Sequence, residues 1–308
     1  MAGDRLRIIC GPTAAGKSDL AIALCERYNA AIISADSRQI YCELNVGTAK
    51  PTREECARVT HYGIDVVEPG ERYSAARWAR DAAEWIECAA EIGKEAVVVG
   101  GTGLYIKALV EPLFNAPDQD SGQRAQLDRE LGPMSVDDLR RWCRELDPAR
   151  AHLGRTQLLR AIETALLSGS RISDLHSQHK AAKEMAPNGP QPAYLVVDPG
   201  PALGTRIEAR VARMIGGGWA DEVRELIRKV SPDAPAWKAS GYMVMRRYVE
   251  GSLDLSSATQ RVIIETRQYA KRQRTWFRNQ LPAAAVTRIN PADPHALTIA
   301  REWWERAE

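Results

Sequence analysis

The stretch Gly11-Pro12-Thr13-Ala14-Ala15-Gly16-Lys17-Ser18, directly after the apolar run Leu6–Cys10, constrains the fold more than any other feature of the chain. Glycine, four residues, then Gly-Lys-Ser between a strand and a helix is the phosphate-binding loop pattern. The amphipathic stretch behind it (Leu20, Ala21, Leu24, Cys25, Tyr28) supplies the helix. Gly11 and Gly16 permit the backbone angles that turn successive N–H groups toward phosphate oxygens. Lys17 adds a mobile positive charge, and Ser18 can ligate Mg²⁺. The helix beginning there directs its positive dipole end at an anion. A di- or triphosphate binds such a loop, but the motif does not say which one.

Further along, Ala31–Ser34 reads as a strand running into Asp36-Ser37-Arg38-Gln39. Loops at the carboxyl ends of parallel strands face the ligand crevice, so Asp36 is expected near the phosphate loop. It could equally cap the next turn or hold a metal as in a nucleotide hydrolase. Gly47-Thr48-Ala49-Lys50-Pro51 is a loop, in which Lys50 taken alone is a solvated charge. Ile64–Val67 reads as a third strand, and Ser74 caps a helix running to Ile92. Ala96–Val99 is a buried strand that ends in Gly100-Gly101-Thr102-Gly103, where small residues suit either close ligand approach or a plain turn. Strand–helix alternation stops near Pro112. Pro- and Gly-rich linkers at 112–122 and 187–192 bracket a segment of almost purely helical period, and Ala193–Val197 returns to strand. The expected architecture is α/β: a phosphate-loop core with a parallel sheet (1–115 and 190–308), interrupted by a helical insertion (116–189).

The C-terminal third reads as helical. Arg206 and Arg210 fall four apart on one helix face. Thr266–Arg278 carries five basic residues and no acid, with Arg267, Lys271, Arg274 and Arg278 on a single stripe. The stripe lacks Glu partners at i±4 and is interleaved with Tyr269, Trp276 and Phe277, a pattern that favours a nucleic-acid backbone over bare solvent. Net charge is only +2, so any such affinity is local. Six scattered cysteines without a C-x-x-C pair suggest neither a zinc site nor a disulfide framework. The short apolar run at the N-terminus is too near charges for a signal peptide, and no run spans a membrane; a cytoplasmic protein is expected.

No acidic pair of the motor type follows an apolar run, and no kinase-like arginine-rich lid is present. Group transfer with a general base therefore fits better than hydrolysis-driven motion. In order, GPTAAGKS, SADSRQIY, GTAKP, VGGTGLY, RIEAR–MIGGG, Ser240-Gly241-Tyr242 and TRQYAKRQRTWFR resemble the tRNA dimethylallyltransferases over nearly the whole chain.

The resemblance implies transfer of a dimethylallyl group from its diphosphate to N6 of adenosine 37 of tRNA, with Mg²⁺, by an enzyme acting as a monomer. It assigns Thr13–Ser18 to the diphosphate and metal, Asp36 as general base, Thr102 to substrate positioning and Arg210 to the diphosphate. It assigns tRNA contacts to Asp36–Gln39, Thr102, Arg124, Thr156, Gln157, Leu158, Leu159 and Arg160. Further tRNA contacts are Lys238, Gly241, Tyr242, Met243, Lys271, Arg272, Gln273, Arg274, Thr275, Trp276, Phe277 and Arg278. Met243, Ser240 and Gln157 depart from the family pattern, each softening one tRNA contact. A prenyltransferase acting on free AMP, a small-molecule kinase and a non-catalytic RNA-binding protein are the competing readings. The insertion and the basic helix argue against the first, and Asp36 with Thr102 against the last.

Overall fold

Short β-branched runs punctuated by glycine build the centre of the protein. The computed structural model describes residues 5–111, 121–177 and 191–306, side chains at 121, 124 and 125 excepted. The expected linkers lie largely outside these residues, as does the side chain of Arg124. Packing divides the chain into two units, Met1–Pro112 with Gly189–Glu308, and Leu113–Asn188.

In the first unit, β1 (Arg5–Cys10), β2 (Ala30–Ala35), β3 (His61–Tyr62), β4 (Glu95–Gly100), β5 (Gln191–Val197) and β6 (Val286–Ile289) form one sheet in the order β3-β2-β4-β1-β5-β6. Every pairing is parallel, so crossovers cover both faces and the strands are apolar on both sides. Residues alternate accordingly. Ile8, Cys10, Ile33 and Val98 join one core, with Trp78 of α3 (Ala75–Glu91), Ile106 of α4 (Gly103–Val110) and Phe277 of α12 (Leu255–Gln280). Ile9, Ile32, Val97 and Val99 face the other, with Leu24 of α1 (Lys17–Tyr28) and Trp304 of α13 (Ala296–Arg306). Each large side chain buried this way contributes about 1.5–3 kcal/mol. The loops after β1, β2 and β4, three adjacent strands, consequently open at one edge of the sheet.

Two expectations are corrected. Ile64–Val67 is not a strand: positive φ at Gly63 (77°) and Asp65 (52°) breaks the run, leaving β3 at His61–Tyr62 and a lone bridge from Val67 to Tyr41. The C-terminal third is not wholly helical, because Val286–Ile289 adds β6 beside β5.

The second unit contains α5 (Ser121–Leu131), α6 (Val136–Leu146), α7 (Arg155–Ser168) and a helical segment at 172–177 (α8). Ser135 caps α6 by accepting from the Asp138 N–H (3.2 Å). Leu139, Cys143, Leu158, Ala161 and Ile162 form its core. Leu158 is fully buried there. Thr156, Gln157 and Arg160 are exposed and Leu159 half-buried, with Gln157 also accepting from the Gly154 N–H.

Candidate active site

The loop after β1 curls as its sequence requires. Gly16 has φ 93°, and a Cβ there would lie 2.8 Å from the Arg206 guanidinium, so both conformation and space call for glycine. Two cations hold the loop's carbonyls: Lys17 Nζ donates to Pro12 O (2.8 Å) and Arg206 Nε to Ala14 O (2.9 Å). The Thr13 N–H is committed elsewhere, to Gln273 Oε1 (2.8 Å).

After β2, Asp36 Oδ1 accepts from the N–H groups of Arg38 (2.8 Å) and Gln39 (3.4 Å). It therefore caps its turn with one oxygen, while Oδ2 makes no hydrogen bond among the described residues. Thr102, after β4, donates its N–H to Ala35 O (3.1 Å), and its hydroxyl oxygen accepts from the Ser37 N–H (3.0 Å). Gln39 Nε2 donates to Ala49 O (3.0 Å), and Arg210 Nη2 to Thr48 O (3.0 Å). The loop at 47–50 is thereby tied to α9 (Leu203–Gly216), which carries Arg206 and Arg210. Lys50 is not a solvated charge: it donates to Tyr41 O (2.8 Å) and pairs with Asp65.

The charges converge. Burial, and then Arg210, pushes the Lys17 ammonium down to about 8, while Asp36 opposes the shift. Burial likewise works against the Arg210 charge, and again Asp36 opposes it. Burial and the Asp36 carboxylate push the Tyr269 phenol up to about 12, which keeps it neutral. The Asp36 carboxylate thus favours the charged form of both cations. Among the described residues no group of three or more His, Cys, Asp or Glu could cage a metal. The exposed Ser18 hydroxyl at the loop's end is a hard oxygen donor open to solvent. Such a site fits Mg²⁺, which shares its coordination between few protein oxygens, phosphate and water.

Helix α12 is more divided than its sequence stripe implies. Lys271, Arg272, Thr275 and Arg278 are exposed, and Arg272 lies over the Tyr269 ring (5.8 Å). Arg267 pairs with Glu208 of α9, and Arg274 with Asp198 and Gly200 O, so the stripe has partners beyond i±4. Gln273 and Phe277 are buried. Trp276 lies where a Cβ on Gly103 would collide with it, at 2.4 Å. Gly103 therefore makes room for α12.

Gly241 and Tyr242 are buried as well. Tyr242 is fully buried on α11 (Tyr242–Val249) and donates its hydroxyl to Glu222 Oε1 (2.7 Å) of α10 (Trp219–Lys229). Glu222 also accepts from the N–H groups of Asn45, Val46 and Gly47 (2.8, 2.6 and 3.2 Å). Glu222 and Tyr242 pin the loop that carries Thr48. A Cβ on Gly241 would lie 2.5 Å from Trp219. Lys238 and Met243 are exposed.

The family model for IPP transferase matches residues 39–280, and that for isopentenyl transferase residues 4–68. The chain belongs to the IPP transferase family. A tRNA dimethylallyltransferase of Halorhodospira halophila is 40% identical over 289 residues, covering 91% of both chains. Its counterpart in Cyanothece sp. is 36% identical over 299 residues, 95% of this chain and 94% of the relative. The full-length tRNA isopentenylpyrophosphate transferase of Bacillus halodurans superposes with TM-score 0.68 at 30% identity, covering 99% and 96% of the two chains. A eukaryotic dimethylallyltransferase acting on tRNA shares the fold at 22% identity, with TM-score 0.77 over 98% of this chain and 80% of its own.

In this IPP transferase, sequence reasoning left three site residues without a role. Arg206 was visible only as the first of an arginine pair. Tyr269 stood among the interleaved aromatics. Glu222 had no local signal, because the loop whose N–H groups it accepts from lies over 170 residues away.

Proposed function

We propose that this IPP transferase joins the dimethylallyl group of dimethylallyl diphosphate to N6 of adenosine 37 in tRNA. The observation that carries this reading is that the phosphate loop and the Asp36 turn follow β1 and β2, on either side of β4, while Gln39 of that turn and Arg210 of α9 hold the same loop at 47–50. On this reading the leaving-group cations and the proton acceptor serve one site. The lone pair of an exocyclic adenine amine is delocalised into its ring, so it attacks weakly. As the N6–carbon bond forms and the allylic carbon–oxygen bond breaks, the amine proton passes to the Asp36 carboxylate and diphosphate departs. Charge gathers on the departing diphosphate, where Lys17, Arg210 and the N–H groups at the loop's helix end stabilise the transition state more than the ground state. Ser18 would help hold Mg²⁺ there, and the ion would supply further charge neutralisation. Thr102 fixes Ser37 and so the turn that presents Asp36.

An adenine stacked in an anticodon loop must swing out to reach Asp36, at a cost of a few kcal/mol. Contacts from Lys271, Arg272 and Arg278, from Lys238 and Met243, from Arg38, and from Arg124, Thr156, Gln157 and Arg160 of the insertion offset it. The test is mass analysis of nucleosides after incubating unmodified tRNA, or AMP, with the protein, Mg²⁺ and dimethylallyl diphosphate. Isopentenyladenosine at position 37 of tRNA is expected. Prenylated AMP with unchanged tRNA would overturn the reading.

A further inference from the structure

Gln273 is the only residue of the basic segment whose side chain bonds to two loops of the candidate site among the described residues. Its Oε1 accepts from the Thr13 N–H (2.8 Å), and its Nε2 donates to Gly101 O (2.9 Å). It is 6% exposed. A Cβ on Gly101 would lie 2.3 Å from that Nε2, so the loop leaves the space the amide fills. Thr13 belongs to the loop proposed to hold the leaving diphosphate. Gly101 precedes Thr102, which holds the Ser37 N–H beside Asp36. One side chain therefore ties the leaving-group half of the site to the proton-acceptor half. Only a primary amide of this length offers an acceptor to one loop and a donor to the other. Glutamate lacks the donor, methionine lacks both, and asparagine is one methylene short.

We propose that Gln273 is a positioning residue that sets the spacing between the diphosphate loop and the Asp36–Thr102 turn. It acts on the rate of transfer and not on tRNA affinity. This inference rests on the proposed transferase reading and deepens it. Misplacing reacting groups by about 1 Å costs on the order of 10²-fold in rate, and two loops freed from one clamp can drift that far.

The experiment compares wild type, Gln273→Met and Gln273→Glu in single-turnover transfer at saturating tRNA and dimethylallyl diphosphate. Dissociation constants for each substrate and thermal midpoints are measured alongside. Gln273→Met should bind tRNA within about threefold of wild type while its saturated rate falls on the order of 10²-fold. Gln273→Glu keeps the acceptor for Thr13 but sets an oxygen against Gly101 O, so its rate should fall as well, with tRNA affinity kept. If Met at this position prevents folding, the Glu variant alone decides. A wild-type saturated rate in the folded variants overturns the proposal. So does a loss in tRNA affinity as large as the loss in rate, which would make Gln273 a tRNA contact. Wild type that transfers nothing to tRNA overturns the transferase reading instead, which keeps the two failures apart.

Discussion

Two sets of cations in this protein share little beyond their charge. Lys17, Arg206 and Arg210 are half-buried, and each donates to a backbone carbonyl, of Pro12, Ala14 and Thr48 respectively. Lys271, Arg272 and Arg278 of α12 are exposed and form no ion pair among the described residues. A charge held in place away from water acts strongly over a short range and needs no reorganisation when an anion forms beside it. A charge on the surface is screened within about 10 Å at 0.1 M salt. It suits a polyanion whose affinity comes from many weak, salt-dependent contacts. On the proposed reading, the inner set serves the chemical step and the outer set holds tRNA.

The strongest way to break this division is at the group the inner cations face. Asp36→Asn keeps the shape and should lower transfer by about 10²–10⁴-fold, with tRNA affinity unchanged, in single-turnover assays. Turnover within a few fold of wild type would reduce Asp36 to the turn cap that its Oδ1 forms.

Next in size is Lys17→Ala. Removing a charge-assisted contact worth about 1.5–3 kcal/mol should weaken dimethylallyl diphosphate binding by about 10- to 150-fold in calorimetry. An unchanged constant would remove Lys17 from the diphosphate site. A smaller effect follows from the depressed Lys17 ammonium, near 8 in the free protein. The charged form binds the anion, so affinity should be full below about pH 8 and fall as pH rises through it. A bound diphosphate stabilises the ammonium and raises its pKa, so binding above pH 8 should take up protons, measurable in buffers of differing ionisation enthalpy. The limb should vanish in Lys17→Ala.

The smallest effect on ligand binding is expected from Tyr242→Phe, which deletes the hydroxyl donated to Glu222. Stability should drop by about 1.5–3 kcal/mol in denaturant titration, as for a hydrogen bond to a charged group. The tRNA affinity should stay within about twofold, since the ring is fully buried; a tenfold loss would restore Tyr242 as a tRNA contact.

The central sheet was legible in the sequence because its signals are local. Apolar runs mark β1, β2, β4 and β5, and the glycines after β1 stand where φ is 148° at Gly11 and 93° at Gly16. The strand β6 was missed because four residues carry little periodicity, and their pairing with β5 is a tertiary fact. In the site, the position of Asp36 at the end of β2 followed from strand order, but the orientation of α12 did not. Helical spacing groups Arg267 and Arg274 with Lys271 and Arg278. Whether such a stripe meets solvent depends on Glu208 and Asp198, over 50 residues away in sequence. Gln273 lay hidden for the same reason, with partners 260 and 172 residues distant.

The division between the two cation sets is tested most directly by a salt titration of tRNA binding. Wild type, Lys17→Ala and the triple variant Lys271→Ala/Arg272→Ala/Arg278→Ala are compared, each also titrated with dimethylallyl diphosphate. The triple variant should lose up to about 0.7–0.9 per contact from the log–log salt slope while keeping its affinity for the diphosphate. Lys17→Ala should do the reverse, keeping the tRNA slope and losing the diphosphate. Parallel tRNA slopes for wild type and the triple variant would contradict the account, since the outer cations would then face only water.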